Sequence, residues 1–449
     1  MAFIIDKQTL DDLHIFRHHR GTSIYELFNT TRTRGGARIL EDMFLYPLSD
    51  IDRINQRSAI LRYFQEKNVA FPFRNEAFDV IEHYLENTDS RTKIAVEDDS
   101  LQRKLRNYMG TDTEYEQLYK GIAACIEVFH GLHDLLQQMD AAHAPRAYRQ
   151  EVREMQLLLS DDQLAWIHGE REDKKRTYAT TAKYDQILRF AARDKMKKLL
   201  YYIYNIDVYM SVARVAGARG FAFAHALETK DNTLLIEGMY HPSLTSPVSN
   251  DLRVDRSSNV IFLTGANMAG KSTFMRTLGV TLFLAHMGFP VPVKHMEFSI
   301  QHGMFTTINL ADNLTLGYSH FYAEVLRLKK VAEHVASMEN LVIIFDELFR
   351  GTNVKDAYDA TVAVTAAMAA RRNCTFIIST HIIEAGEALR ETCDNINFVY
   401  FPTVMKGSVP EYTYKLASGI TNDRHGMMII QNENIIGIIK SRLHTLKSV

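Results

Sequence analysis

Residues 264–273 read Thr264-Gly265-Ala266-Asn267-Met268-Ala269-Gly270-Lys271-Ser272-Thr273. The apolar run before them, Asn259-Val260-Ile261-Phe262-Leu263, reads as a buried strand. The run after them, Phe274-Met275-Arg276-Thr277-Leu278-Gly279-Val280, reads as a helix. Strand, glycine-spaced loop, Lys-Ser and helix together make a phosphate cradle. Backbone N–H groups of the loop and the helix N-terminus would face phosphate oxygens, and Lys271 would add a positive charge at the β/γ oxygens. Ser272 is then placed to ligate Mg²⁺, and Asn267 can donate an amide hydrogen bond to a γ-phosphate or a water. This arrangement commits part of the chain to an α/β sheet carrying nucleotide at one edge.

A chain of 449 residues has room for two to four domains. Its net charge of −2 gives no general argument for nucleic acid, so any DNA-binding surface must be local. Cys125, Cys374 and Cys393 have neither metal-site nor disulfide spacing. They read as small core hydrophobes in a reducing compartment. The start, Met1-Ala2-Phe3-Ile4-Ile5-Asp6, lacks a secretory signal, and no apolar run approaches about 20 residues. A cytoplasmic protein away from membranes is therefore expected.

The first 230 or so residues have helical spacing throughout. Segments 23–28 and 37–45 carry apolar residues three and four apart, with Thr31 to Gly36 between them as a turn. Longer helices are expected over about 112–141, 146–163 and 182–217. No proline lies between Pro145 and Pro242, which suits long unbroken helices. Near residue 230 the pattern changes to short β-rich runs at 234–238, 259–263, 341–345, 375–379 and 397–401, mostly separated by helical segments. That alternation predicts a mostly parallel sheet. The tail, about 433–446, reads as an amphipathic helix.

Two further segments add chemistry. Leu341-Val342-Ile343-Ile344-Phe345 ends in Asp346-Glu347. Asp346 at a strand terminus can complete a metal shell with Ser272, and Glu347 is placed as base or orienting group for an attacking water. Ser379-Thr380-His381 closes the next β run, where His381 can sense a γ-phosphate and help hold the water. Ser319 starts a helix running through Val325 and Leu328. It reads as an N-cap, and a capped helix N-terminus is also an anion site.

Taken together, these segments resemble the MutS family of ABC-superfamily ATPases. Thr264 to Thr273 is similar to the family's Asn-Met-containing P-loop. Met304 to Ile308, Asp312, Ser319-His320-Phe321 and Glu324 resemble its signature segment. Asp346 to Thr352 resembles its Walker B and D-loop, Ser379-Thr380-His381 its switch histidine, and Tyr240-His241-Pro242 its entry to the ATPase domain. Upstream, Arg20 to Phe28, Thr31 to Arg38 and Pro47-Leu48 resemble the start of the family's helical core, and Asp207 to Ala218 the lever helix.

The resemblance implies a helical core and lever domain over 1–230, with the clamp short or absent. An ABC-type P-loop ATPase domain over 231–449 would follow, ending in a dimerisation helix. It implies ATP and Mg²⁺ as cofactors, with Gly265 to Thr273, Ser319 and Tyr414 binding nucleotide. Ser272 and Asp346 would hold the metal, and Lys271, Asn267, Glu347 and His381 would be catalytic. It also implies a homodimer in which Ser319 of one protomer faces the other's nucleotide. With the core beginning within the first twenty residues, the mismatch-recognition module with its Phe-x-Glu motif and the connector are expected to be lacking. Val248 stands where an aromatic against adenine is expected, and Tyr414 offers another stacking face.

The strongest local sign of DNA is Arg171 to Lys198, with ten basic residues against four acidic. The alternative for that run is a solvated helix face. The expected function is an ATP-dependent clamp on mismatched or structured DNA, in repair or recombination. Two other readings stay open: a MutS-like ATPase acting on branched DNA or ribosomal RNA, and an ATP-gated scaffold dimer.

Overall fold

The computed structural model describes residues 3–16, 21–89, 113–139, 141–266, 268–308, 320–337, 340–406, 409–421 and 434–439. Helices and sheets are mixed, and the chain divides into two compact units. One comprises residues 1–27, 46–58 and 219–449; the other comprises 28–45 and 59–218. This differs from a single cut near residue 230, because two N-terminal stretches fold with the C-terminal half.

In the first unit the main sheet has seven strands among the described residues. They are β1 (Ile4–Ile5), β2 (Val260–Thr264), β3 (Gly303–Thr307), β4 (Leu341–Phe345), β5 (Thr375–Ser379), β6 (Ile396–Tyr400) and β7 (Ala417–Ser418). Their order is β1-β3-β4-β5-β2-β6-β7. All neighbouring pairs are parallel except β6–β7. Every residue of β2, β4 and β5 is buried, which explains why these strands read as continuous apolar runs rather than alternating ones. Phe262, Phe305, Phe345 and Phe376 fill the core. Burial of each contributes about 2–3 kcal/mol.

Five helices matter for the site: α1 (Lys7–Asp12), α2 (Lys271–His286), α3 (His320–Ser337), α4 (Val354–Ala369) and α5 (Ile383–Thr392). α2 is buried on nearly all sides, with Phe274, Met275, Leu278, Leu282 and Phe283 inside. A second sheet of the same unit orders His225–Leu227, His295–Ser299, Leu234–Met239 and Asn250–Val254. The run at 234–238 therefore belongs to this sheet, where it pairs antiparallel on both sides. The N-terminus also departs from the helical expectation. Ile4 and Ile5 form an edge strand in register with Gly303 and Met304. The expected tail helix is described only over 435–439.

The second unit is helical, with Thr113–Gln138 and Arg146–Leu159 close to expectation. The helix expected over 182–217 is instead Tyr178–Asp185, a π-helical turn at Gln186–Ala191, and Arg193–Arg219. Inside that turn the Arg189 guanidinium is fully buried against the Asp185 carboxylate, with both nitrogen–oxygen distances at 2.5 Å. The glycine pair Gly35-Gly36 lies inside helix Arg34–Leu45, not in a turn. A Cβ on Gly35 would fall 2.3 Å from Tyr204, and one on Gly36 2.6 Å from Asp207 Oδ2. Close approach, not a reversal of direction, explains both glycines. Asp207 in turn accepts the Arg32 and Thr33 N–H groups at 3.0 and 2.8 Å, holding the start of that helix.

Candidate nucleotide site

The carboxyl ends of β4, β5 and β2 lie side by side. Phe345 pairs with Ile378, and Ser379 with Leu263. The segments after Leu263, Phe345 and Ser379 leave the sheet at this edge, the usual ligand position of an open parallel sheet.

After β2 the loop turns through Gly265 (φ +147°), Met268 (φ +70°) and Gly270 (φ +103°). Gly270 precedes α2, and a Cβ there would sit 3.1 Å from the Tyr414 ring in a backbone conformation that L side chains avoid. Lys271 is buried, its Nζ donating to the carbonyls of Gly265 at 2.8 Å and Ala266 at 3.2 Å. Burial lowers its pKa, while the charges of Glu347 and Asp346 pull the other way. Ser272 and Thr273, in the first turn of α2, are exposed. Asn267 and Ser319 lie outside the described residues.

Asp346 is buried at the end of β4, its Oδ1 accepting the Ser379 hydroxyl at 2.6 Å. Glu347 has a left-handed backbone (φ +55°), and its N–H donates to the Ser379 carbonyl and hydroxyl oxygens, each at 3.1 Å. Ser379 thus orders two adjacent acidic residues. The Glu347 carboxylate contacts His381 Nε2 through one oxygen and the Arg350 guanidinium through the other. Burial raises the Glu347 pKa. The His381 hydrogen bond and the charges of His381, Arg350 and Lys271 outweigh this, holding the carboxyl below its ordinary range. Lys271 Nζ lies 3.5 Å from the same His381 nitrogen. That nitrogen's bond to Glu347 requires its proton, so Lys271 acts there as a neighbouring charge.

The structure thus brings Lys271, Asp346, Glu347 and His381 to one place. Ser379 and Arg350 join them, although neither carries a role in the sequence pattern. The available signal was position alone: Ser379 ends a β run, and Arg350 is three residues from Glu347. A hard cation with few protein ligands suits these donors. Ser379 occupies Asp346 Oδ1, and among the described residues no protein hydrogen bond is made to Oδ2, leaving it and the exposed Ser272 hydroxyl for such an ion.

Beside the loop is a cavity of about 520 Å³, within the size range of small-molecule sites. Its walls include His241, Val248, Met268, Phe274, Phe401 and Tyr414. The expected pair of base-facing residues, Val248 and Tyr414, line the same space. Asn250 fixes the segment around Tyr414 by donating to the Tyr414 carbonyl at 3.0 Å and accepting the Leu416 N–H at 2.7 Å.

The basic run of the helical unit looks different in three dimensions. Lys174 pairs with Glu170, Lys195 with Asp161, and Lys198 with Glu154. Arg189 pairs with Asp185, Arg171 with Asp173, and Arg193 donates to the Leu85 carbonyl. Tyr184 stacks on Trp166 at 3.7 Å and Tyr178 on Tyr115 at 5.5 Å. Three acidic residues outside the run, Glu154, Asp161 and Glu170, answer about half of its excess of positive charge.

Among the described residues no helix is long and apolar enough to cross a membrane. Comparison with known proteins gives matches to MutS domain III over residues 8–213 and to MutS domain V over residues 261–446. The domain III match begins within α1, which here folds with the sheet unit. The DNA mismatch repair protein MutS of Pseudothermotoga lettingae is 22% identical over 532 residues, covering 100% of this chain and 65% of that protein. That of Geobacillus thermodenitrificans is 26% identical over 296 residues, covering 65% of the chain and 31% of the relative. That of Staphylococcus haemolyticus is 28% identical over 248 residues, covering 54% and 28%. The chain therefore spans less than two thirds of the length of each of these relatives. Two domain matches in consecutive order, reaching together over most of the sequence, place it: the chain belongs to the MutS family.

Proposed function

We propose that this chain is an ATPase that binds DNA as a homodimer and couples ATP turnover to opening and closing on mismatched or structured DNA, in repair or recombination. The observation that carries the ATPase reading is the meeting of Lys271, Asp346, Glu347 and His381 at the carboxyl edge of one parallel sheet, beside a cavity of about 520 Å³. In this reading Lys271, the loop N–H groups and Asn267 hold the phosphates. Ser272 and Asp346 hold Mg²⁺, which supplies charge neutralisation for the transferred phosphoryl group. Glu347 accepts a proton from water or orients it, with His381 fixing the carboxylate. Arg350 and His381 each take one oxygen of Glu347, and each oxygen keeps a further lone pair that can accept from water. Val248 and Tyr414 flank the base, and Ser319 of each protomer faces the other's γ-phosphate.

The names of the relatives support DNA as the substrate. A specific observation favours keeping the second reading, a MutS-like ATPase on another nucleic-acid assembly or an ATP-gated scaffold: six of the run's ten basic residues pair with carboxylates of their own unit. The deciding experiment loads Glu347→Gln protein with ATP and measures binding to homoduplex, mismatched, branched and single-stranded DNA across a salt series. A preferred structure with a steep salt slope supports the DNA clamp. No binding to any of them rejects it.

A further inference from the structure

Helix Arg146–Leu159 of the helical unit divides its charge unevenly. Its inner face is Tyr148, Val152, Met155 and Leu159, all buried, with Tyr148 packed among Tyr63, Phe64 and Tyr209. Both of its carboxylates turn towards helix Arg193–Arg219. Glu154 accepts Lys198 Nζ at 2.9 Å and the Tyr202 hydroxyl at 2.5 Å, and Glu151 accepts the Tyr209 hydroxyl at 3.2 Å. Burial pushes the Glu151 carboxyl up to about 7, so it carries only part of a negative charge near neutral pH. The three arginines stand elsewhere. At about 100° per residue, Arg146, Arg149 and Arg153 fall within about 60° of one another, and all three are exposed. Exposed Gln156 continues the same stripe. Among the described residues no carboxylate pairs with any of these arginines. The helix's one aromatic residue, Tyr148, is on the buried face.

This stripe works against its own helix. Arg146 and Arg149 lie in the first turn, which holds no acidic residue and where the helix dipole disfavours positive charge. Arg149 and Arg153, four residues apart, repel each other. A ligand that brings the missing negative charge would relieve both costs. From Arg146 to Arg153 the helix rises about 10 Å, a length over which one strand of a duplex presents about three phosphates. Guanidinium forks fit phosphate oxygens, and a face without an exposed ring to stack on a base suits backbone contact. We propose that the face made by Arg146, Arg149 and Arg153 holds the phosphate backbone of double-stranded DNA. This rests on the DNA-binding reading above. It places the contact away from the basic run at 171–198, where six of ten basic residues are already paired with carboxylates. Phosphate contacts position a duplex without reading its bases, so this face serves homoduplex and mismatched DNA alike.

The test uses the full-length Glu347→Gln protein loaded with ATP, and measures its affinity for homoduplex and mismatched DNA of one length across a salt series. Arg146→Gln, Arg149→Gln and Arg153→Gln together should lower the slope of log affinity against log salt by about 2 to 3. Affinity at about 0.1 M salt should fall about tenfold or more, equally on both duplexes. Replacing the same three arginines by lysine should restore most of the slope, which separates lost charge from a damaged helix. Lys175→Gln, Lys183→Gln and Lys197→Gln, an equal change of net charge within the basic run, should leave the slope near the parent value. If the parent binds and the arginine triple keeps its slope, the face is wrong and the DNA reading stands. An equal fall in both triples also overturns the proposal, because net charge alone would then explain it. Tighter binding of duplex RNA than of duplex DNA through the same arginines overturns the choice of DNA. If the parent binds no duplex at all, the DNA reading fails and the proposal with it.

Discussion

The Ser379 hydroxyl donates to Asp346 Oδ1 at 2.6 Å while accepting the N–H of the next residue, Glu347, at 3.1 Å. One oxygen on β5 thereby fixes both acidic residues at the end of β4. Ser379→Ala should leave ATP binding nearly intact and reduce the turnover number by about ten- to a hundredfold, since small misplacements at a reacting centre are costly. Steady-state turnover beside equilibrium nucleotide binding would show it; a parallel loss of both would assign Ser379 to nucleotide binding instead.

Lys271→Ala should abolish ATP binding, because the buried ammonium is the positive charge held against the loop carbonyls where phosphate is expected. Glu347→Gln should instead bind ATP and stall before hydrolysis. Filter binding and single-turnover assays distinguish the two. Retained affinity in the first variant would remove the phosphate-loop assignment, and normal hydrolysis in the second would reassign the base.

Arg350→Ala removes one of the charges that hold the Glu347 carboxyl below its ordinary range. The depressed pKa keeps a carboxylate base ionised to lower pH, so its loss should move the acidic limb of the pH–rate profile upward. Turnover above that limb should persist. An unmoved limb would mean that the Arg350 contact does not survive in the nucleotide-bound enzyme.

His286 predicts a pH effect on stability. Its ring is fully buried: Nδ1 donates to the Leu282 carbonyl at 2.9 Å and Nε2 accepts the Gln301 N–H at 2.9 Å, so both nitrogens are used by the neutral form. Burial lowers its pKa to about 4. A group whose charged form is disfavoured by folding contributes its full stability above its unfolded pKa, about 6.5. That contribution should fade as pH falls from there towards about 4, by an amount on the order of 3 kcal/mol at most. Denaturant titrations of wild type and His286→Gln across this range should converge at the acidic end. Parallel curves would show that other groups dominate.

How much of this could be read from the chain depended on distance along it. The loop at 265–270 was legible as a loop between strand and helix because strand, glycines, Lys271 and helix are contiguous, and because β2 is buried on both faces. Asp346, Glu347 and His381 were legible because each closes an apolar run that had to be a strand. Ser379 and Arg350 were hidden, since their roles depend on the left-handed turn at Glu347, which a non-glycine residue does not announce. The glycines at 35 and 36 pointed to a turn because their reason, Tyr204 and Asp207, lies far along the chain. The basic run was legible as charge, but Glu154, Asp161 and Glu170, which answer much of it, stand outside the run and approach only through folding. The two residues of β1 were too few to show any period, and their partners in β3 are most of the chain away.

That last pairing bears on how the protein is made and how it can be cut. β1 leaves the ribosome long before Gly303 and Met304 exist to receive it. The sheet's border must therefore be finished late, across a large loop closure that slows folding. A fragment beginning at residue 219 would carry the 265–270 loop and both acidic residues yet leave the outer side of β3 without its neighbour. Such a bare margin invites pairing with another molecule. Biochemists isolating that fragment should expect aggregation unless the first twenty-seven residues are supplied, either fused to the fragment or added as a peptide.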